Sequence, residues 1–356
     1  MKIKSLDTWI EGGNNNFIII SGPCGAETRS QILNTADQIS QVKGVHLFRA
    51  GVWKPRTRPG GFEGVGKKAL SWLKEAKEKY GLKVAVEVAR SQHVEECLKA
   101  GIDVLWIGAR TTSNPFSVQE VADALQGVDI PVLIKNPLNP DLNLWIGAIE
   151  RVYRTGNNKI AAVHRGFFPF RKTRFRNDPK WEIVIELKSR FHNLPIICDP
   201  SHITGDSRLL NEISQKSLDL NMNGLMIESH CTPELALCDG KQQITPTQLG
   251  TLLLNLTHRV ETAHDTNFKE LLGQYRIQID EIDTQVIKLF AQRRELALKI
   301  GKEKQKRNVS ILQLKRWKKM RQSRLELARE FGLSEKFMDK ILQLIHKESI
   351  SIQSPN

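Results

Sequence analysis

Short apolar runs alternate with amphipathic stretches along the first 260 residues of the chain. The apolar runs are rich in β-branched residues and are bounded by glycine, proline or polar residues, which is the pattern of buried β-strands. The eight predicted strands are residues 17–23, 46–52, 83–89, 104–109, 131–137, 159–165, 195–200 and 224–230. Each is followed by a helical pattern, as at 64–80, 142–155 and 206–220. Strands that alternate with helices in this way are parallel and joined by crossovers.

The number of these strand–helix units predicts a closed (β/α)8 barrel. Eight units in about 240 residues match the usual size of a TIM barrel. The alternative is an open, doubly wound sheet, in which a GxGxxG segment often follows the first strand. The sequence has no such segment there. We therefore predict an α/β barrel domain over residues 1–260.

The pattern changes after a polar break at residues 261–267, which we interpret as a linker. Residues 268–306 form one long predicted helix, and shorter helices are predicted at 312–331 and 334–350. The long helix carries an apolar stripe at near-heptad spacing: Tyr275, Ile279, Ile282, Val286, Leu289, Leu296 and Ile300. Such helices cannot bury this stripe alone, so we predict an all-α domain over 268–356 that dimerises.

The composition and net charge of the chain limit the classes of partner that it can bind. Its 40% apolar and 26% charged residues provide for a core, which excludes wholesale disorder. The formal net charge is +14, and the chain from Asp265 onward contains 20 basic and 12 acidic residues. A basic balance favours nucleic acid, an acidic membrane, or phosphorylated and carboxylated metabolites. No apolar run reaches the ~18 residues of a membrane span, which excludes insertion into a membrane.

The five cysteines are odd in number and scattered along the chain, which argues against a disulfide framework. The first residues also lack the apolar core of a signal peptide. We therefore expect a cytoplasmic protein with reduced thiols or a thiolate metal ligand.

A polar residue follows every predicted strand. These residues are Cys24, Arg49, Glu87, Arg110, Lys135, Arg165, Asp199 with His202, and Glu228. One alone is readily explained as a surface side chain, but all the strand ends meet at the C-terminal face of a barrel, where active sites lie. Three arginines and a lysine there, with Lys54 and Arg56 on the loop after the second strand, form a basic funnel suited to phosphate and carboxylate groups.

Four residues form a set of metal-ligand types: Cys24, His202, Glu228 and Asp239. A thiolate, an imidazole and two carboxylates suit Mn²⁺, Fe²⁺ or Zn²⁺ better than Ca²⁺ or Mg²⁺. Their spacing matches no CxxC or HExxH motif, but Cys24 follows a Gly-Pro pair at a strand end. We expect the other cysteines to be small apolar side chains: Cys97, Cys198, Cys231 and Cys238.

Seven ordered motifs within residues 17–260 resemble a known enzyme family. They are GPCGAET (22–28), FRAGVWKPRTRPGGFEG (48–64), IGAR (107–110), IKNP (134–137), HRGF (164–167), DPSH (199–202) and ESHC (228–231). They resemble the 3-deoxy-D-arabino-heptulosonate 7-phosphate (DAHP) synthases of the type I beta group. The related 3-deoxy-octulosonate 8-phosphate synthases share this fold and chemistry, but they carry an Asn-Arg-Ser type of segment where this chain has KPRT at 54–57.

The resemblance implies that the barrel joins phosphoenolpyruvate to erythrose 4-phosphate and releases phosphate, with a divalent metal ion as cofactor. It implies that phosphoenolpyruvate is held by Arg49, Lys54, Arg110, Lys135, Arg165 and the backbone N–H of Ala109. It also implies that Arg56 and Thr57 hold the sugar phosphate, and that the metal ligands are Cys24, His202, Glu228 and Asp239. As hypotheses, we assign Glu87 to positioning the attacking water and Lys54 to protonating the new alkoxide.

Arg293 interrupts the apolar stripe of the helical region, between Leu289 and Leu296. Burial of an unpaired cation there would be costly. Lys304 lies on the same side of the helix, about 16 Å further along. Two cations that face a helical core predict an anionic ligand. A basic helix also suits nucleic acid, but no aromatic–basic interleaving or recognition-helix pattern supports that alternative.

The helical region resembles the AroQ-type chorismate mutases. The segments YRIQIDEID, FAQRRELALKIGKEK, LKRW and KESISIQ carry this resemblance. It implies that chorismate is bound by Arg276, Arg293, Lys304, Arg316, Ser349 and Gln353. Two of the arginines would bind its carboxylates, and Lys304 and Gln353 would contact the ether oxygen whose bond breaks. Arg276 lies about 100° around the helix from Arg293 and would serve the site of a partner subunit.

Two positions depart from the family pattern. Gln313 and Trp317 stand where acidic residues commonly contact the substrate hydroxyl; glutamine can still accept a hydrogen bond, whereas tryptophan offers only an indole N–H. A non-catalytic sensor of chorismate or prephenate, or a dimerisation module, therefore remains the alternative to a mutase. We predict a bifunctional enzyme that forms a homodimer or homotetramer, is inhibited by prephenate, and binds neither nucleic acid nor membranes.

Overall fold

The computed structural model describes residues 1–10, 17–54, 60–259 and 265–353. The chain folds as two units, which we call the barrel unit (Met1–Glu261) and the helical unit (Thr262–Asn356). The change of sequence pattern near residue 261 coincides with this division.

All eight predicted strands are present, and they pair in chain order into a closed, parallel barrel. The strands are β1 (Ile18–Gly22), β2 (Leu47–Ala50), β3 (Lys83–Val88), β4 (Val104–Ile107), β5 (Val132–Lys135), β6 (Ile160–His164), β7 (Ile196–Cys198) and β8 (Gly224–Glu228). The barrel closes because β1 pairs with both β2 and β8, so that Ile20 lies opposite Leu47 on one side and Met226 on the other. The predicted TIM barrel is confirmed, and an open sheet is excluded.

Helices connect the strands and surround them. In the barrel unit they are α1 (Arg29–Ser40), α2 (Lys68–Tyr80), α3 (Ser91–Lys99), α4 (Ala109–Thr112), α5 (Pro115–Ala124), α6 (Leu142–Arg154), α7 (Trp181–Arg190), α8 (Pro200–Thr204), α9 (Leu210–Asp219) and α10 (Pro246–Leu254). The side chains of Thr28 and Asp141 cap α1 and α6 by accepting backbone N–H groups. Helix α2 begins later than predicted because Gly66 adopts a left-handed backbone conformation with φ of 74°.

Side chains alternate between the inside and the outside of the barrel along each strand. Leu47 on β2 and Leu133 on β5 belong to the buried apolar interior. Two residues further along the same strands, Arg49 and Lys135 therefore also point inward. The opposite faces of the strands pack against the helices in a second apolar cluster. An apolar interior is thus topped by a layer of charged side chains at the C-terminal end of the barrel.

The helical unit consists of α11 (Thr266–Lys306), α12 (Leu314–Glu330) and α13 (Glu335–Gln353). Helix α13 packs against both α11 and α12, and the predicted all-α domain is confirmed. Within one chain the apolar stripe of α11 stays open to solvent, with exposed fractions from 40% at Val286 to 61% at Leu289. Among the described helices of the whole chain, none is long and apolar enough to cross a bilayer.

Candidate active sites

Three predicted metal ligands meet at the C-terminal end of the barrel. Cys24 Sγ, a Glu228 oxygen and an Asp239 oxygen lie within 4.8 Å of one another. Nε2 of the fourth predicted ligand, His202, is 3.7 Å from Glu228 Oε1. This buried Glu228 oxygen has no hydrogen-bond partner among the described residues. Sulfur, nitrogen and carboxylate donors that converge in this way fit a divalent cation of the Mn²⁺, Fe²⁺ or Zn²⁺ type.

Constrained backbone segments place these ligands. At Gly22, the last residue of β1, a Cβ atom would lie only 2.1 Å from the backbone oxygen of Arg49, so the chain passes too close there for any side chain. Cys24 follows two residues later, and its backbone N–H donates to Gln243 Oε1 at 2.9 Å. Asp239 adopts a left-handed conformation with φ of 54°. Non-glycine residues held in this region are typical of functional sites.

Cations lie beside the cluster, and Arg49 helps to hold the Glu228 carboxylate in its charged form. Lys54 Nζ lies 3.0 Å from Cys24 Sγ. Burial alone would lower the pKa of Lys54, but its acidic neighbours Cys24 and Glu228 raise it overall, so Lys54 stays protonated. Arg49 Nη1 lies 3.3 Å from Glu228 Oε1. Burial would raise the pKa of Glu228, but His202 and Arg49 lower it overall.

The thiol of Cys24 is hydrogen-bonded to a second thiol, that of Cys238. This hydrogen bond, followed by burial, raises the pKa of Cys24 well above its ordinary value. The same hydrogen bond lowers the pKa of Cys238. Metal binding would remove the Cys24 proton, because the thiolate is the form that ligates. Cys238, expected to be an inert apolar side chain, is instead in direct contact with a predicted ligand.

Asp199 orders the imidazole of His202. Its carboxylate accepts a hydrogen bond from Lys135 Nζ at 2.6 Å and lies 2.8 Å from His202 Nδ1. Burial would raise the pKa of Asp199, but His202 and Lys135 hold it well below its ordinary value. With Nδ1 engaged by a carboxylate, Nε2 of His202 is left facing Glu228. A carboxylate behind the ring is the usual support of a metal-binding histidine.

Three of the cations predicted to bind phosphoenolpyruvate are buried in the charged layer: Arg49, Lys135 and Arg165. Arg165 Nη1 donates to Asn177 Oδ1 at 2.7 Å. Burial lowers the pKa of Arg165 to about 10, which still leaves the guanidinium charged at neutral pH. These buried cations can each face an anionic substrate without competing water.

The other predicted substrate contacts lie further out. Ala109 is the first residue of the short helix α4, and Arg110 directly after it is exposed. Arg56 and Thr57, predicted to bind the sugar phosphate, lie outside the described residues. Glu87 is half-buried on β3, and its Oε2 accepts a hydrogen bond from Trp106 Nε1 at 3.1 Å.

Sequence reasoning missed several residues that support the metal-ligand cluster. Arg176 Nη1 donates to Asp239 Oδ1 at 2.9 Å and to Gln242 Oε1 at 2.7 Å. Gln242 Nε2 in turn donates to Glu228 Oε2 at 2.7 Å. The sequence shows only two adjacent glutamines after the Asp-Gly pair at 239–240, and their burial appears only in the structure. Trp106 carried no signal beyond its place in a predicted strand.

Four predicted residues of the helical unit gather on α11 and α13. Arg293 Nη1 donates to Ser349 Oγ at 2.5 Å. Lys304 Nζ donates at 2.7 Å to a backbone oxygen of the loop after α11. Gln353 packs on Gly301, where a Cβ atom would lie 2.8 Å from Gln353 Cγ. Its side-chain oxygen is buried and has no hydrogen-bond partner among the described residues, so it is available to a ligand.

The remaining predicted residues of this unit are more open. Arg276, Gln313 and Arg316 are exposed. Trp317, which departs from the family pattern, stacks on His346 with ring centroids 3.9 Å apart and planes 8° from parallel. Burial lowers the pKa of His346, so its ring is neutral at pH 7.

This geometry defines a class of protein: a (β/α)8 barrel enzyme that can hold anionic substrates and a divalent metal at its C-terminal face, joined to a helical module with its own cationic site. The chain belongs to the DAHP synthetase I family, whose model matches residues 1–264. A second model, chorismate mutase type II, matches residues 275–354. The predicted resemblance of the barrel to the DAHP synthases and of the helical region to the chorismate mutases is confirmed at the level of family.

Known relatives cover the barrel unit. The chain is 35% identical over 232 residues to the phospho-2-dehydro-3-deoxyheptonate aldolase of Thermotoga maritima, a match that covers 65% of this chain and 66% of the relative, just under two thirds of its length. It is 26% identical to a 2-dehydro-3-deoxyphosphooctonate aldolase of Syntrophobacter fumaroxidans, over 70% of this chain and 89% of that protein. The crystal structure of the T. maritima DAHP synthase matches with a TM-score of 0.61 and 32% identity, covering 69% of each chain.

Proposed function

We propose that the barrel unit joins phosphoenolpyruvate to erythrose 4-phosphate to give DAHP and phosphate, the first step of the shikimate pathway. The observation that carries this proposal is the contact between the ligand cluster and a half-buried cation. Cys24, Glu228 and Asp239 converge, and Lys54 Nζ lies 3.0 Å from Cys24 Sγ. An aldehyde oxygen bound at the cluster would therefore lie beside a proton donor.

Phosphoenolpyruvate would lie on the charged layer. We assign its anionic groups to Arg49, Arg110, Lys135 and Arg165, together with Lys54 and the backbone N–H of Ala109. Buried arginine forks match phosphate and carboxylate oxygens and are strongest where water is excluded. Arg56 and Thr57 are assigned to the phosphate of the sugar.

Cys24, His202, Glu228 and Asp239 would hold the cofactor, for which Mn²⁺, Fe²⁺ and Zn²⁺ are the candidates. When bound, such an ion supplies Lewis-acid polarisation of the aldehyde oxygen. Glu87 would hold the water that attacks the second carbon of the enol phosphate, while Arg49 and Lys135 stabilise the charge of the phosphate. Lys54 would protonate the alkoxide, which is a far stronger base than its amine, so the transfer is downhill even with a raised pKa.

Product formation with two different acceptors tests this proposal. Metal-loaded enzyme is incubated with phosphoenolpyruvate and either erythrose 4-phosphate or a five-carbon aldose phosphate, and phosphate release is measured. We expect release with erythrose 4-phosphate only, because KPRT at 54–57 separates this chain from the octulosonate synthases. Release with the five-carbon sugar only would contradict the assignment. Chelation, followed by addition of each metal alone, then identifies the cofactor.

We propose that the helical unit rearranges chorismate to prephenate. The part of the site that comes from one chain would be supplied by Arg293, Lys304, Ser349 and Gln353, with Gln313 just before α12 and Arg316 on α12 at its edge. Arg276 would come from a second copy of the chain. Dimerisation through α11 would cover its exposed apolar stripe, and the assembly would be a homodimer or homotetramer. Catalysis would consist of positioning and electrostatic stabilisation of the breaking ether bond.

The alternative is a helical unit that only senses prephenate or chorismate, or only dimerises. The observation that favours it is Trp317, which stacks on His346 where the family has a substrate-binding acid. Chorismate consumption, followed by ultraviolet absorbance, separates the two functions. We expect consumption by the native chain and its loss in Arg293→Ala. An inactive native chain that still binds chorismate would establish the sensor.

Two further properties are part of this proposal. We propose that prephenate inhibits DAHP formation, because a product of the pathway would bind the same chain that catalyses its first step; synthase rates that do not change with added prephenate would refute this. We also propose a cytoplasmic location, which agrees with five free cysteines in a reducing compartment.

A further inference from the structure

A single aromatic side chain lies between the apolar interior of the barrel and its charged layer. Trp106 on β4 is fully buried and packs in the interior cluster with Leu133 and Met226. Trp106 pairs with Glu87 on β3 and with Leu133 on β5, which lies two residues before Lys135. The size of the indole carries its ring up to the charged layer.

Three charged groups from three different strands converge on this ring. Its Nε1 donates to Glu87 Oε2 on β3 at 3.1 Å. The guanidinium carbon of Arg49 on β2 lies 4.8 Å from the ring centroid, and Lys135 Nζ on β5 lies 5.8 Å from it. These are cation–π distances, and such contacts strengthen where water is excluded.

The carboxylate of Glu87 is confined from the other side by Gly108. A Cβ atom at Gly108 would lie 1.9 Å from Glu87 Oε1, so this carboxylate fits only because residue 108 has no side chain. One oxygen thus rests against Gly108 and the other accepts the indole N–H. A hydrogen bond to a carboxylate is shorter and stronger than one to a neutral acceptor. Trp106 therefore fixes the direction in which Glu87 presents its free lone pairs.

We propose that Trp106 is a positioning residue for the synthase reaction. Its N–H holds Glu87 in the orientation that directs the attacking water, and its ring face supports Arg49 and Lys135 in the orientation that binds phosphoenolpyruvate. The inference rests on the roles proposed above for those three residues, and it separates into two parts, one for the N–H and one for the ring.

Two substitutions of Trp106 separate these parts. Trp106→Phe keeps an aromatic face but removes the N–H, so we expect kcat to fall about tenfold or more while KM for phosphoenolpyruvate changes less than about twofold. Trp106→Leu removes the ring as well, so we expect KM for phosphoenolpyruvate to rise about tenfold in addition. An unchanged KM in Trp106→Leu would overturn the ring's role.

Trp145→Phe is a matched control for the loss of a buried indole N–H. Trp145 is equally buried, but it lies in the outer cluster, and its Nε1 donates to the backbone oxygen of Ile134, also at 3.1 Å. We expect this variant to lose thermal stability as Trp106→Phe does, with kcat within about twofold of the native value. If kcat falls as much in Trp145→Phe as in Trp106→Phe, Trp106 has only a structural role.

A double-mutant cycle with Glu87→Gln tests whether the N–H acts through Glu87. If it does, adding Trp106→Phe to Glu87→Gln changes kcat much less than adding it to the native enzyme. The same factor in both backgrounds would overturn the inference. Full activity of Glu87→Gln alone would instead refute the proposed role of Glu87, whereas the KM measurements on Trp106→Leu would still test the ring.

Discussion

The two units build their sites in different ways. In the barrel unit, the ligand cluster and the charged layer come from one chain, and the groups are buried and mostly paired with one another, as in Lys135 with Asp199 and Arg49 with Glu228. In the helical unit, Arg293 and Lys304 are anchored, but the apolar stripe of α11 is open and Arg276 is exposed. The difference teaches that a barrel can gather its candidate site within one chain, whereas the site proposed for the three helices would draw Arg276 from a second copy.

The largest effect is expected where a buried pair of the barrel is broken. Arg49→Ala leaves Glu228 buried without its cation, which typically costs about 3–5 kcal/mol, and it removes a proposed substrate contact. We expect DAHP formation to fall by about a thousandfold or more and the unfolding midpoint in urea to drop.

Arg29→Ala is the control for this variant. It removes the exposed ion pair with Glu75, which we expect to change stability by less than about 1 kcal/mol and activity not at all. Equal stability of the two variants would show that the charged layer is not held by its internal pairs.

A charge on the open stripe should separate the two activities. Leu289→Glu places an unpaired carboxylate in the proposed dimer interface. We expect chorismate consumption to fall about a hundredfold and the molecular mass in solution to halve, while DAHP formation continues. Leu235→Glu, at a leucine of the barrel unit that is even more exposed than Leu289, serves as control and should leave both activities intact. If Leu289→Glu dissociates into monomers that still consume chorismate, the helical unit does not need a second copy, and the comparison between the two units fails.

The barrel unit also buries a neutral histidine, which makes its stability depend on pH. Burial, followed by the nearby Arg165, lowers the pKa of His164 to about 3. The unfolded histidine titrates near 6.5, so above that pH neither state binds a proton at this ring. As the pH falls from 6.5 toward 3, the unfolded chain binds a proton that the folded chain does not. The unfolding free energy therefore falls by up to about 1.4 kcal/mol per pH unit in this range. We expect His164→Phe to flatten the dependence of the barrel's unfolding free energy on pH across this window. The control His192→Phe, at an exposed position, should keep the native slope.

The smallest effect concerns the departure of the helical unit from its family. Trp317→Glu restores a carboxylate where the family has one and breaks the stack on His346. We expect kcat/KM for chorismate to rise about tenfold, which is the lower end of what one hydrogen bond to a charged group contributes. His346→Ala breaks the same stack without supplying an acid and should give no gain. If kcat/KM rises in both Trp317→Glu and His346→Ala, the gain comes from breaking the stack of the two rings and not from the added carboxylate.

Much of this architecture could be predicted from the sequence, for physical reasons. Apolar runs located every strand of the barrel because parallel strands are buried on both faces. Cys24 and Glu228 could be predicted as metal-ligand candidates because they stand at strand ends. Trp106 was not identified, because its importance depends on which charged groups three separate strands bring to its ring.

Gln242 and Cys238 were missed or misjudged for a related reason. Both act through contacts with residues far away in sequence, Glu228 and Cys24, and spacing along the chain carries no trace of those contacts. In the helical unit, the heptad pattern located α11 but could not show that its stripe stays open in one chain.

The most direct test of the central claim, that the barrel carries a complete metal-dependent site separate from that of the helical unit, is a comparison of Cys24→Ala with Cys97→Ala. Cys97 is equally buried but packs in the outer apolar cluster, away from the ligands. Bound metal, DAHP formation and chorismate consumption are measured on the same preparations. The account predicts that Cys24→Ala loses metal and DAHP formation but still consumes chorismate, and that Cys97→Ala retains all three. Full metal content and DAHP formation in Cys24→Ala would contradict it.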